Sequence, residues 1–203
     1  MKHLLLSIAA LFLCTITTAA AEVATTGKAA PQFTLKNAKG VEVTLQSFAG
    51  KIVVLEWFNP ACPFVKKFYA NGDMQKFQQE VREKGAVWLV INSSAPGKQG
   101  HISQEDADDT MRDLNMEAND LLLDPTGSVG TSYGAKTTPH MFVIDANGTL
   151  AYAGAIDSTP STRSSDISSS TNYVLNAVEA LQAHKPVSPA DTAPYGCSVK
   201  YAE

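Results

Sequence analysis

The chain of 203 residues is 18% charged and 44% hydrophobic, with 13 Gly and 10 Pro, which fits one ordinary globular domain and excludes collagen-like and disordered classes. Its 16 Lys and Arg stand against 20 Asp and Glu, a formal net charge of −4, and no basic run is present to track a phosphate backbone, which argues against a nucleic-acid partner. The 3 Cys are too few for a disulfide scaffold or a four-cysteine zinc site, and no His-Glu-x-x-His, P-loop or Gly-x-Gly-x-x-Gly pattern occurs.

Met1, Lys2 and His3 precede an apolar run from Leu4 to Ile16, and Ala19, Ala20 and Ala21 supply small residues for cleavage, the layout of a secretory signal peptide. The run is shorter than the roughly 20 residues that span a bilayer. The expected organisation is a leader over residues 1–21 and a single domain over 22–203, periplasmic or secreted, with no membrane insertion after cleavage. Removal of Cys14 leaves Cys62 and Cys197, which in an oxidising compartment read as a structural disulfide or a redox couple.

Phe33, Leu35, Val41, Val43 and Leu45 alternate with polar residues around Asn37 to Gly40, as in a peripheral hairpin. Ile52 to Phe58 is an apolar run broken only by Glu56 and predicts a buried parallel strand ending at Asn59 and Pro60. A helix begins near Cys62 and Pro63, because proline suits a first turn whose N–H would lack a partner. Asn71, Gly72 and Asp73 interrupt it before Met74, Phe77 and Val81 resume helical spacing. Val87 to Ile91 predicts a second buried strand, joined to the first by a βαβ crossover.

After a polar loop from Asn92 to His101, Ser103 to Asp106 resembles a capping box and opens a helix carrying Met111 and Leu114. Leu121 to Leu123 is a short strand stopping at the turn Asp124 to Gly127, and Met141 to Ile144 and Leu150 to Ala153 flank the hairpin signal Asn147-Gly148. A serine-rich loop from Ser158 to Ser170 precedes a last helix over about Tyr173 to Ala183, and a tail from Pro186 carries Cys197. The order predicts an α/β fold, a mixed sheet with helices on both faces and an N-terminal β-hairpin.

Cys62 lies where a buried strand turns into a helix, and free N–H groups with partial positive charge at a helix start favour thiolate over thiol. The alternative is an inert buried cysteine. Position at a strand-to-helix switch, where open sheets place their sites, favours the reactive reading. Glu56 inside an apolar strand must stay protonated, find a partner or sit at an edge facing solvent. A carboxyl with a raised pKa beneath a nucleophile can move its proton.

Trp57 and Phe58 read as core. Thr138-Pro139, in a turn before a strand, is a candidate cis bond. His140 beside it either serves a thiolate, as hydrogen-bond partner or acid, or is structural. Cys197, in a flexible-looking tail, either condenses with a Cys62 sulfenic acid or staples the tail permanently.

The segment Trp57-Phe58-Asn59-Pro60-Ala61-Cys62-Pro63-Phe64-Val65-Lys66-Lys67, with Thr138-Pro139-His140 and Gly196 to Tyr201, resembles a thioredoxin-fold redoxin. More narrowly it is similar to the peroxiredoxin-like group of exported thioredoxin-family proteins, within the alkyl hydroperoxide reductase/thiol-specific antioxidant superfamily, from about Ala29 to Tyr201. The resemblance implies a thioredoxin-like fold with Cys62 as nucleophile, Glu56 at the position of a buried acid and Pro139 at that of a cis-proline beside the thiol. Val65 stands where thioredoxins carry a second Cys, which rules out dithiol exchange within that motif. Leu55 and Asn59 stand at the Pro and Thr positions of true peroxiredoxins, so the hydroxyl that helps orient a peroxide is missing.

These readings together predict an exported thiol oxidoreductase with antioxidant activity and no cofactor or metal. Cys62 attacks a peroxide or a disulfide, Glu56 moves the proton, Cys197 resolves the oxidised sulfur, and an external thiol reductant, a thioredoxin-like protein or a small thiol, regenerates the pair. A rival reading is a copper-binding or redox-sensing protein using Cys62, Cys197 and His140, because sulfur with imidazole suits copper. A third is a binding domain that has lost redox turnover.

Overall fold

A computed structural model describes residues 23–202; the leader expected over residues 1–21 lies outside them. The hairpin forms as β1 (Thr34–Asn37) and β2 (Glu42–Thr44), turned by the Asn37 side chain, whose Oδ1 accepts the Lys39 and Val41 amides at 3.0 and 2.9 Å. The first apolar run is β3 (Val53–Trp57), buried at every position. It leads into α1 (Pro63–Tyr69) with Pro63 in the first turn, then α2 (Asp73–Glu83) after a break at Gly72, and the crossover closes on β4 (Val87–Asn92).

Downstream, α3 (Ala107–Asp113) follows the expected cap, where Ser103 Oγ accepts the Asp106 amide at 3.2 Å. Next come β5 (Asp120–Leu123), α4 (Ser128–Tyr133), the two-residue β6 (Thr137–Thr138), β7 (His140–Ile144) and β8 (Leu150–Gly154). Last come α5 (Tyr173–Gln182) and the short β9 (Cys197–Ser198).

Seven strands make one sheet in the order β2-β1-β5-β4-β3-β7-β8. The β3–β4 and β4–β5 pairs are parallel, and β7 runs antiparallel beside β3, so the sheet is mixed. Alternation along β3 splits the core in two. Val54 and Phe58 face a layer with α1, α2, α3 and α5, while Val53, Leu55 and Trp57 face a layer with α4 and the 3₁₀ turn Leu45–Phe48. Helices therefore cover both faces, as the order of elements predicted. Trp57 and Phe58 are core, at 0% and 1% exposure.

Two segments depart from the sequence reading. Helix α4 was not expected, because its six residues offer only Val129 and Tyr133 to the core, too short a pattern to stand out. The Tyr133 ring packs against Trp57 and Phe142, with centroids 5.3 and 5.4 Å away, so tertiary contact makes the helix.

The tail, expected to be flexible, is docked instead. Strand β9 pairs antiparallel with β6, Thr138 opposite Cys197, and Val199 N donates to Lys136 O at 3.0 Å. Further along, Lys200 O accepts the Ala95 amide at 2.8 Å and the Tyr201 hydroxyl donates to Ala135 O at 2.8 Å. Backbone groups of the tail thus find partners in sheet and loop, which a local pattern of Pro, Ala and Ser does not foretell.

Docking depends on Gly196, whose φ of 136° is one that side chains disfavour and where a Cβ would collide with the Thr138 carbonyl oxygen. We expect Gly196→Ala to cost on the order of 1–3 kcal/mol through the backbone alone and to release β9. Hydrogen exchange at the Val199 amide should accelerate; unchanged protection there would show that the strand is not pinned at Gly196.

Candidate active site

Strand β3 ends at Trp57, and the chain then makes a tight loop before α1. Asn59, buried in that loop, uses its whole side chain for it: Oδ1 accepts the Ala61 amide at 2.8 Å and Nδ2 donates to Gln99 O at 3.0 Å. Its backbone carbonyl accepts the Cys62 amide at 3.1 Å, which sets Cys62 as the residue capping α1. Asn59 thus shapes the loop, and its amide does not substitute for the hydroxyl absent from that position.

Cys62 is 1% exposed, and as a thiol its Sγ donates to the Thr138 carbonyl at 3.0 Å. That carbonyl is delivered by the Thr138–Pro139 peptide bond, which is cis. Cys197 faces the same sulfur from β9 and is only half-buried; both cysteines are free thiols here. Burial by itself would raise the Cys62 pKa. Hydrogen bonds from the Cys197 thiol and backbone, the Thr138 side chain and the Val65 amide outweigh it and hold Cys62 below the ordinary thiol value of 9.0. Cys197 moves the other way, pushed up to about 11 by burial and by its hydrogen bond and charge interaction with Cys62, with Lys200 opposing. The pair is thereby asymmetric, with Cys62 the more acidic thiol and Cys197 the less acidic one.

Glu56 is fully buried on β3, on the same side of the sheet as Cys62. Its carboxyl accepts from the Trp88 indole at 2.9 Å, from the Tyr69 hydroxyl at 3.0 and 3.1 Å, and from Gln78 at 3.4 Å. Burial raises its pKa from 4.5 to about 7, although those three donors pull it down. The strand-edge reading is therefore excluded, and the carboxyl is a group poised to exchange a proton near neutrality. Its hydrogen bonds run to Tyr69, Gln78 and Trp88, and none reaches Cys62 directly.

His140 is not brought to the sulfurs. It shares a face of β7 with Phe142, whose ring centroid lies 4.4 Å away, in the layer opposite Cys62. Its Nδ1 accepts the Lys136 amide at 3.2 Å, and burial, with the Lys136 charge, lowers its pKa to about 4, so the ring is neutral and structural. The copper set of Cys62, Cys197 and His140 is consequently not assembled, and among the described residues no group of three His, Cys, Asp or Glu is placed to hold a metal.

Several groups around the site gave no sequence signal. Tyr69 and Gln78 sit on helix faces where a polar end is invisible to an apolar count, and the Thr138 carbonyl is backbone. Lys67, in the motif itself, is buried and pairs with Asp157 at 3.1 Å, a partner 90 residues away that only folding supplies.

The profile of the AhpC/TSA family matches residues 26–153. No curated protein matches the chain. Among solved structures, an uncharacterized conserved protein from Geobacillus kaustophilus is similar at 26% identity with a TM-score of 0.74, over 88% of this chain and 93% of that one. A hypothetical protein from Sinorhizobium meliloti matches at 24% identity with a TM-score of 0.74, over 88% of this chain and 95% of that one. The thioredoxin domain of a thiol-disulfide oxidoreductase from Bacteroides vulgatus matches at 23% identity with a TM-score of 0.51, over 64% of this chain and 87% of that one. The fold is thus thioredoxin-like.

The buried titratable groups carry a measurable signature. Glu56 binds its proton more tightly in the fold than at its ordinary 4.5, so its stabilising share is full below that pH and is lost as pH rises through about 7. His140 opposes it, because its share is present above 6.5 and is lost as pH falls toward 4. Only the comparison with Glu56→Gln isolates the carboxyl. From pH 4.5 to above 7, urea denaturation should show wild type losing about 3 kcal/mol relative to the variant; a flat difference would mean that the carboxyl is already ionised throughout.

Proposed function

The chain belongs to the AhpC/TSA family of thiol oxidoreductases, and we propose that its redox couple is Cys62 with Cys197, cycling between dithiol and disulfide. The observation that carries this reading is the contact between the two sulfurs, with Cys62 held below and Cys197 above the ordinary thiol pKa. Burial of Cys62 at 1% exposure favours a small oxidant, a hydroperoxide, over a folded protein disulfide at that sulfur.

In the first step the Cys62 thiolate attacks the terminal oxygen of the hydroperoxide. The O–O bond breaks, an alcohol or water leaves after taking up a proton, and Cys62 becomes a sulfenic acid. Once Cys62 is no longer an anion, its charge ceases to hold the proton on Cys197. The Cys197 thiolate then attacks the Cys62 sulfur, forming the disulfide and expelling water.

Reduction runs through the tail. Cys197 is the more exposed sulfur and Cys62 the better leaving thiolate, so an external thiol attacks Cys197 and expels Cys62. A second donor thiol releases Cys197 from the mixed disulfide. The missing threonine hydroxyl at Asn59 and the missing proline at Leu55 support a modest peroxide rate, since nothing at those positions orients the O–O bond. Glu56, linked to α1 and α2 through Tyr69 and Gln78, acts in this scheme as a proton reservoir in the layer that carries Cys62. The leader over residues 1–21 and a periplasmic or secreted location complete the proposal, with a thioredoxin-like protein or a small thiol as reductant.

Mass spectrometry after a hydroperoxide pulse should show a Cys62–Cys197 disulfide in the wild type and a persistent Cys62 sulfenate, trapped by a diketone, in Cys197→Ala. The same variant should move the Cys62 pKa back up toward 9.0, read by thiolate ultraviolet absorbance. A monothiol added to the oxidised wild type should leave its adduct on Cys197. A Cys62 that reacts with neither peroxide nor alkylating agent would sink the proposal, and oxidation by protein disulfides alone would replace the hydroperoxide with that substrate.

A further inference from the structure

Helix α1 carries more than the cap at Cys62. Five residues on, Lys67 is buried with its ammonium against Asp157 Oδ2 at 3.1 Å and the Thr159 carbonyl at 3.1 Å. Asp157, which follows β8 and is itself buried, takes the Tyr195 hydroxyl on Oδ1, the oxygen that also accepts the Thr159 amide at 3.0 Å. Tyr195 closes the loop back to α1. Its ring meets Phe64 edge-on at 5.8 Å between centroids, and the Lys67 ammonium lies 5.7 Å from its centre. Three segments thus converge: the helix that starts at Cys62, the turn after β8, and the tail two residues before Cys197.

A buried ion pair gives little net stability compared with apolar packing of the same volume, and its best-attested use is to fix one register among several. Here the register concerns the two sulfurs. Asp157 and Tyr195 lie outside residues 26–153, where the family profile matches. We propose that Lys67, Asp157 and Tyr195 form a clamp that seats the tail on α1 and sets the effective concentration of Cys197 at Cys62. They are positioning residues, acting through Cys197 and touching no reacting atom. The inference rests on the two-cysteine couple proposed above. With the clamp closed, disulfide formation outruns further oxidation of the Cys62 sulfenic acid to sulfinic acid. With it open, Cys197 spends time away and overoxidation gains.

The test uses a glutathione buffer, which needs no peroxide. A Cys62 thiolate displaces one glutathione thiolate from glutathione disulfide, giving a mixed disulfide. Cys197 then displaces the second, so that two protein thiols are oxidised as one glutathione disulfide is reduced to two thiols. The equilibrium ratio yields the effective concentration of Cys197. Tyr195→Phe keeps the ring against Phe64 and removes only the hydroxyl, so it folds on the same packing; Asp157→Asn is the second variant, weakening both contacts.

We expect Tyr195→Phe to lower the effective concentration about tenfold, the range of a lost hydrogen bond to a carboxylate, and Asp157→Asn to lower it further. An effective concentration equal to wild type in Tyr195→Phe overturns the clamp, even if the melting temperature falls, because a purely structural role would move stability alone. A wild type that forms this disulfide in glutathione but resists hydroperoxide overturns the oxidant assigned to Cys62 while the clamp stands; failure to form the bond at any glutathione ratio overturns both.

Discussion

Much of this molecule depends on how close one backbone can come to another. The tail lies against the Thr138–Pro139 turn at Gly196, where any side chain would strike the Thr138 carbonyl, and that same carbonyl receives the Cys62 thiol at 3.0 Å. A single peptide group therefore sets both the seat of the first sulfur and the path of the strand that brings the second. Cys197 reaches Cys62 because β9 pairs with β6 residue by residue, Thr138 opposite Cys197. Strand pairing fixes register more tightly than a free loop would, since a slip of one residue turns the side chain to the other face.

Around this contact, the polar interior is divided by the sheet. On the side of Cys62 lie the Glu56 carboxyl with its three donors and the Lys67–Asp157 pair, the first held near neutrality in its titration and the second fully ion-paired. On the far side His140 stays neutral, and the Asp124 carboxylate takes the Ser93 hydroxyl at 2.7 Å and the Gly130 amide at 2.9 Å, holding α4 in place. Buried polar groups cost free energy unless paired, and each of these has its partners. The arrangement concentrates titratable chemistry in the layer that carries the thiol and leaves scaffold in the other.

The two sulfurs differ through their neighbours more than through the helix alone. Helix α1 is only seven residues long, and the donors that depress the Cys62 pKa come chiefly from Cys197 and Thr138, far away in sequence. The same contacts raise Cys197, so the asymmetry belongs to the pair. This couples the acid–base state of Cys62 to the docking of the tail.

The sequence by itself determined the strands and most helices, because β3, β4 and β7 are near-continuous apolar runs, broken only by Glu56, Asn92 and His140, and the turns at Gly40, Gly72 and Gly148 punctuate them. It also singled out Cys62, Glu56 and Pro139, since a cysteine at a helix start, a lone carboxyl in an apolar strand and an X-Pro step are local features. Tertiary structure alone decided what those residues meet: that Glu56 binds Tyr69, Gln78 and Trp88, that His140 faces away, and that α4 forms around Tyr133. It also decided that the tail docks, carrying Cys197 to Cys62 and Tyr195 to Asp157. The reason is physical. Periodicity reports which face of an element is buried, whereas a hydrogen bond between groups far apart in the chain exists only once the backbone has paid the entropy of closing the loop between them.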